Sequence, residues 1–299
     1  MKKSTKEFTP KIIVKNFNIE NEVKLFVRFL NHPYYPQHRN LILNAFKELR
    51  NLLTDDKKND KKILTKFINE FYEENKKNIK PIFKKSNTII DTKGRLALNT
   101  LAKIMNYKWE DKSIKYFAVP TILPFSPFEN NVFYFSILGE IKGMKNKNIL
   151  MIAMHEISHF IFYDQLKKIE QQKGQQLPVD AKNYIKESLT AFLLNQKAIN
   201  KILKFTELYK GNPEIWGIKI QKGNEKPVEL FNFIEDLYKL ICVKNKKSFQ
   251  IFLNVLIDKA FIISKEFSKK KKIWNRYGKK IYDTPRFSNL YSKAIKIKK

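Results

Sequence analysis

Asn146-Lys147-Asn148-Ile149-Leu150-Met151-Ile152-Ala153-Met154-His155-Glu156-Ile157-Ser158-His159-Phe160-Ile161-Phe162 reads as a buried helix that carries two histidines and a glutamate. Its centre has the pattern His-Glu-x-x-His. Imidazoles four residues apart lie on one helical face and can both reach one metal ion. Neutral imidazole is a common zinc ligand, and the intervening Glu156 can act as base on a water the metal activates. The chain has only four histidines, the others being His32 and His38, so a chance match is rarer than in a His-rich protein.

A tetrahedral catalytic zinc takes three protein ligands and keeps one position open. No histidine follows His159, and the position a longer three-histidine motif would use holds Gln165. The single cysteine, Cys242, lies in apolar sequence and reads as core. A carboxylate is therefore the economical third ligand. Glu187 is the best candidate, because it sits in an apolar helical stretch where an unpaired carboxylate is costly and a metal would neutralise it. The plainer reading of Glu187 is a solvent-facing side chain, or one paired with Lys186 or Lys182. Asp164, Glu170 and Asp180 are weaker: the first points to another side of the motif helix, and the other two lie in polar, exposed sequence.

The other composition features bound the function class. One cysteine excludes an intramolecular disulfide and a cysteine-based zinc site. Gly is scarce and no Gly-rich phosphate-binding pattern occurs. The basic N-terminus is not followed by the apolar run of a signal peptide, and no uninterrupted apolar stretch is long enough to span a bilayer. A soluble, cytoplasmic protein without a membrane partner is expected. The net charge of +30 is nearly all lysine. It predicts weak, salt-sensitive affinity for nucleic acid, while the scarcity of arginine argues for codon bias over specific phosphate recognition.

Periodicity places helices over about 20–30, 40–53, 63–72 and 96–107, with Ile79-Lys80-Pro81 as a stop. Tyr116 to Pro124 and Asn131 to Leu138 are aromatic and β-branched and read as strands, with Ser126 to Asn130 as the turn. Lys167 to Gln176 reads as a loop or fraying end, and Asp180 as the N-cap of one long helix to Phe205. Two further helices are expected over 228–242 and 247–267. The run Lys269 to Lys272 reads as a solvated face, the tail after Pro285 as mobile, and His32 and His38 as turn and surface residues.

His155-Glu156-Ile157-Ser158-His159, followed by a helix with Glu187-Ser188-Leu189-Thr190-Ala191, resembles the zincin metallopeptidases. Within them it is similar to the thermolysin-like gluzincin branch, over about residues 130 to 200. The resemblance implies zinc held by His155, His159 and Glu187, with Glu156 as general base and proton shuttle. It also implies a small mixed sheet whose edge strand, Val132 to Leu138, aligns an extended peptide. Two positions depart from the pattern. Many gluzincins carry an Asp four residues after the Glu ligand, and that position here is Ala191. The Tyr or His that stabilises the transition state has no counterpart except a late tyrosine such as Tyr277 or Tyr282.

The expected architecture is α+β and predominantly helical: an N-terminal helical region (1–110) and a zincin-like metallopeptidase domain (111–299) with a helical C-terminal part. The expected function is zinc-dependent hydrolysis of peptide bonds. The alternative is a non-catalytic module on a zincin scaffold that binds an acidic partner or nucleic acid through its lysines.

Overall fold

In the computed structural model, which describes residues 8–32, 36–54, 56–144, 148–277, 291 and 293–297, the chain is mostly helical with two small mixed sheets, an α+β architecture. It forms two units, each assembled from separated segments: Thr9–Leu96 with Asp111–Ala153, and Ala97–Glu110 with Met154–Lys299. No helix among the described residues is long and apolar enough to cross a membrane.

The first unit contains a four-stranded sheet in the order β1-β2-β4-β3, built from β1 (Lys11–Val14), β2 (Lys115–Thr121), β3 (Phe128–Glu129) and β4 (Val132–Ser136). Strand β1 was not legible in its sequence, which has only four residues and none fully buried. The two expected strands do form, but β2 and β4 pair in parallel, so the segment between them is a crossover that itself contributes β3. Pro120 lies in central β2 without breaking the ladder. The Phe117 N–H donates to the Asn131 carbonyl on the β4 side, so by the two-residue alternation the Pro120 nitrogen faces the β1 side. Pairing with β1 has already ended there, at Ala118.

Strand β4 is not the free edge the resemblance implied. Beyond its pairing with β3, the Tyr134 N–H donates to the Pro127 carbonyl and the Ser136 N–H to Ser126 Oγ. Leu138 belongs to the short helix α5 (Leu138–Ile141), not to the strand.

Helix α1 (Ile19–Leu30) is N-capped by Asn18 and buries Val23, Phe26, Phe29 and Leu30 in this unit. The expected 40–53 helix is displaced and split into α2 (Pro36–Ala45) and α3 (Leu49–Leu52). Helix α4 (Lys57–Ile104) overturns the expectation of separate helices and of a stop at Pro81, which lies inside it. A buried stripe of Leu64, Ile68, Ile79, Ile82, Ser86 and Ile90 recurs at helical spacing on both sides of the proline. Burial of that stripe outweighs the hydrogen bond lost at one exposed position. His32 and His38 are half-buried ring-packing residues: His32 lies against Phe29, and His38 stacks on Phe125 with ring centroids 4.3 Å apart. Pro33, Tyr34 and Tyr35 between them lie outside the described residues.

Helix α6 (Ile149–Lys173), which belongs to the second unit from Met154 onward, carries the motif, so Lys167 to Lys173 is helix, not loop. The Gln165 Nε2–H donates to the Met105 carbonyl at 3.0 Å. Helix α7 (Val179–Leu194) begins after Pro178 with no side-chain cap, which corrects the role expected of Asp180. Glu170 ties that end instead: its Oε1 accepts from the Leu177 N–H at 2.6 Å, and the carboxylate pairs with Lys182. The helix expected to reach Phe205 stops at Leu194 and resumes as α8 (Lys197–Leu203).

Strands β5 (Lys219–Lys222), β6 (Val228–Glu229) and β7 (Ile295–Ile297) form a second sheet in the order β6-β5-β7, flanked in sequence by α9 (Leu230–Tyr238), α10 (Phe249–Ile262) and α11 (Ser264–Tyr277). The tail expected to be mobile therefore includes a strand parallel to β5. The lysine run is not simply a solvated face. Lys270 is buried and donates to the carbonyls of Tyr291 and Lys293, while Lys271 forms a double contact of 2.8 Å with Glu214.

Candidate metal centre

Helix α6 is buried almost all round near the motif, so its polar side chains must find partners inside the protein. Ser158 Oγ donates to the His155 carbonyl at 2.7 Å and lies 2.6 Å from Thr190 Oγ1, pinning the motif turn to α7. Glu187 sits three residues before Thr190, on the same face of α7, and that register brings its carboxylate to the histidines.

The three residues expected to hold the metal lie near one another. His155 Nε2 lies 3.6 Å from Glu187 Oε2, and His159 Nε2 lies 3.8 Å from Glu187 Oε1. Glu156 is 4% exposed, with Oε1 3.9 Å from His155 Nε2 and Oε2 3.4 Å from His159 Nδ1. His155, Glu156 and His159 also form the one group of three or more His, Cys, Asp or Glu side chains among the described residues whose ligand atoms all lie within 4.8 Å of one another. Two carboxylates thus compete for the part of third ligand. Glu187 faces the same ring nitrogen, Nε2, on both histidines, whereas Glu156 faces Nε2 of one and Nδ1 of the other. One ion reached through both Nε2 atoms fits Glu187 better.

This donor set fits a divalent metal. Ligand atoms about 2.0–2.2 Å from a tetrahedral zinc lie about 3.3–3.6 Å apart, and the Glu187 oxygens, at 3.6 and 3.8 Å from the two Nε2 atoms, stand at or just beyond that spacing, outside the tighter group of His155, Glu156 and His159. Burial pushes the pKa of His159 well below its ordinary value, and the charges of Lys186 and His155 push it further, so the ring is the neutral imidazole a metal needs. Burial alone would raise the Glu187 carboxyl, but Lys186 and His155 outweigh it and hold it below its ordinary value, as a carboxylate.

Two residues near the centre were not read from the sequence as part of it. Lys186 is the ion-pair partner of Glu187 that the plainer sequence reading allows: its Nζ lies 2.9 Å from Glu187 Oε1 with both side chains largely buried. Burial lowers the Lys186 pKa, but Glu187 and Tyr163 outweigh it, so the ammonium is kept. Tyr209 places its hydroxyl 2.9 Å from His155 Nδ1 and was missed altogether. It lies in a loop without periodicity, where no sequence signal marks it.

The remaining candidates fall away from the centre. Asp164 pairs with Lys168 at 3.6 Å, Glu170 is engaged as described above, and Asp180 lies half-buried in the first turn of α7. Cys242 is half-buried in a π-helical turn (Lys239–Lys244), and burial raises its thiol pKa. The side chain of Tyr277 and all of Tyr282 lie outside the described residues. Comparison with protein-family models, curated proteins and solved structures gives no match to the chain.

Proposed function

We propose that this chain is a zinc-dependent peptide hydrolase with a zincin-like centre, in which His155, His159 and Glu187 hold the ion and Glu156 is the general base. One observation carries the reading: both Nε2 atoms face a single carboxylate, with a second buried carboxylate beside them. When bound, the ion supplies Lewis-acid polarisation of a scissile carbonyl and makes a water more acidic. Glu156 takes a proton from the attacking water on its carboxylate and passes it to the leaving amine. Its burial excludes bulk water, which strengthens that exchange. Because residues 126–129 cover the outer side of β4, the substrate is not aligned by that strand.

The test is elemental analysis for zinc on the protein, His159→Ala and Glu187→Ala, with a peptide-library digest by the protein and Glu156→Gln. One zinc per chain, lost in both ligand variants, with turnover lost but zinc kept in Glu156→Gln, is expected. Turnover retained by Glu156→Gln removes that role from Glu156. The Lys186–Glu187 ion pair favours a second reading, a non-catalytic module whose site is neutralised from within and whose lysine-rich surface binds an acidic partner or nucleic acid. Zinc without hydrolysis, or no zinc uptake at all, supports that reading.

A further inference from the structure

The segment after α8 crosses α7 as a strap. Lys204, in the left-handed conformation at φ 56°, ends α8, and Gly211 at φ 68° turns the chain over α7. A Cβ on Gly211 would lie 3.2 Å from the Ala191 Cβ, a tight approach at a backbone conformation that already disfavours a side chain. Between these turns, Asn195 holds Tyr209 at two points. Its Oδ1 accepts from the Tyr209 N–H at 2.9 Å, and its Nδ2 donates to the Tyr209 carbonyl at 2.8 Å and the Ala191 carbonyl at 2.7 Å. Every polar atom of that side chain is thereby used. The Tyr209 ring is further fixed by stacking on Phe205, with centroids 5.6 Å apart and planes 10° apart.

The outcome is one contact, Tyr209 Oη to His155 Nδ1 at 2.9 Å. An imidazole that binds a metal through Nε2 must carry its proton on Nδ1, and whatever accepts that proton sets the tautomer and the ring's orientation. The methyl group of Ala191 offers the ring no hydrogen-bond partner. We propose that Tyr209, anchored by Asn195, is the positioning residue for His155, presenting its Nε2 to a divalent metal. The inference rests on the metal-site reading above.

The experiment measures zinc affinity by competition with a chromophoric chelator for the protein, Tyr209→Phe, Asn195→Ala and the double variant. Alongside, the His155 tautomer is read from imidazole 15N shifts in the metal-free protein. Tyr209→Phe is expected to saturate with one zinc but to bind it about 10–100-fold more weakly, with a changed balance of His155 tautomers in the metal-free protein. Asn195→Ala weakens binding in the same direction. The double variant is no weaker than Tyr209→Phe alone, because the two act in series. A Tyr209→Phe protein with the wild-type zinc affinity and tautomer overturns the inference and leaves the metal site standing. No zinc on the unmodified protein overturns the metal site and this inference with it.

Discussion

Replacing Lys186 by Met isolates the competition between an internal cation and a metal for Glu187. The ammonium lies 2.9 Å from Glu187 Oε1, with the two side chains 8% and 14% exposed. At an effective dielectric constant of about 20, that separation corresponds to about 6 kcal/mol of gross attraction. Desolvation of both groups offsets part of it, and removing one partner of such a buried pair costs about 3–5 kcal/mol, because a carboxylate is left uncompensated. Metal-free Lys186→Met should therefore be less stable than the parent by about that amount. With zinc on Glu187 the carboxylate is compensated again. What remains is the exchange of a lysine stem for a methionine of similar volume, under about 1.5 kcal/mol. By linkage, Lys186→Met should bind zinc about tenfold or more tightly than the parent, since about 1.4 kcal/mol corresponds to a factor of ten. Urea unfolding of both proteins, with chelator and with saturating zinc, measures all four corners of the cycle. An equal loss of stability in the presence and absence of zinc would refute the reasoning, because the ion would then not share Glu187 with Lys186.

Two further predictions lie in the first unit. Glu22 is buried, accepts from Thr121 Oγ1 and the Ile122 N–H, and is raised to about 7, chiefly by burial. Its folded pKa exceeds its unfolded value, so its contribution is fully present below about pH 4.5 and is lost as pH rises through about 7. The loss is about 3 kcal/mol. The stability difference between the parent and Glu22→Gln across pH 4.5–8 should show that slope, and a pH-independent difference would sink the assignment. Pro81→Ala should stabilise the protein by about 1–3 kcal/mol, because an exposed site inside α4 regains its helical N–H. A neutral or lower urea midpoint would show that the helix around Pro81 has adapted to the ring.

The legible parts of this protein were those whose signal is local. The helix at His155 and His159 was read correctly because i and i+4 share a face whatever the rest of the chain does. The strand character of residues 115–121 and 132–136 was visible in their aromatic and β-branched residues. Their parallel pairing was not, since strand direction depends on how the intervening segment crosses. Pro81 misled for the opposite reason: a local rule was overridden by a buried stripe extending to both sides of it. Lys269 to Lys272 misled because the partners of Lys270 and Lys271 lie at Tyr291, Lys293 and Glu214, far away in sequence.

The sequence by itself determined the pair of imidazoles and the glutamate between them, because helix geometry alone spaces those groups. It also made Glu187 a reasonable third ligand, from the cost of a carboxylate in apolar sequence. Only the tertiary structure decided that Glu187 faces both Nε2 atoms, that the Lys186 ammonium pairs with the same carboxylate, and that the Tyr209 hydroxyl meets His155 Nδ1. Those three facts depend on the register in which α7 and the following strap pack on α6. That register is set by contacts such as Ser158 with Thr190 and Asn195 with Tyr209, across separations no periodicity encodes.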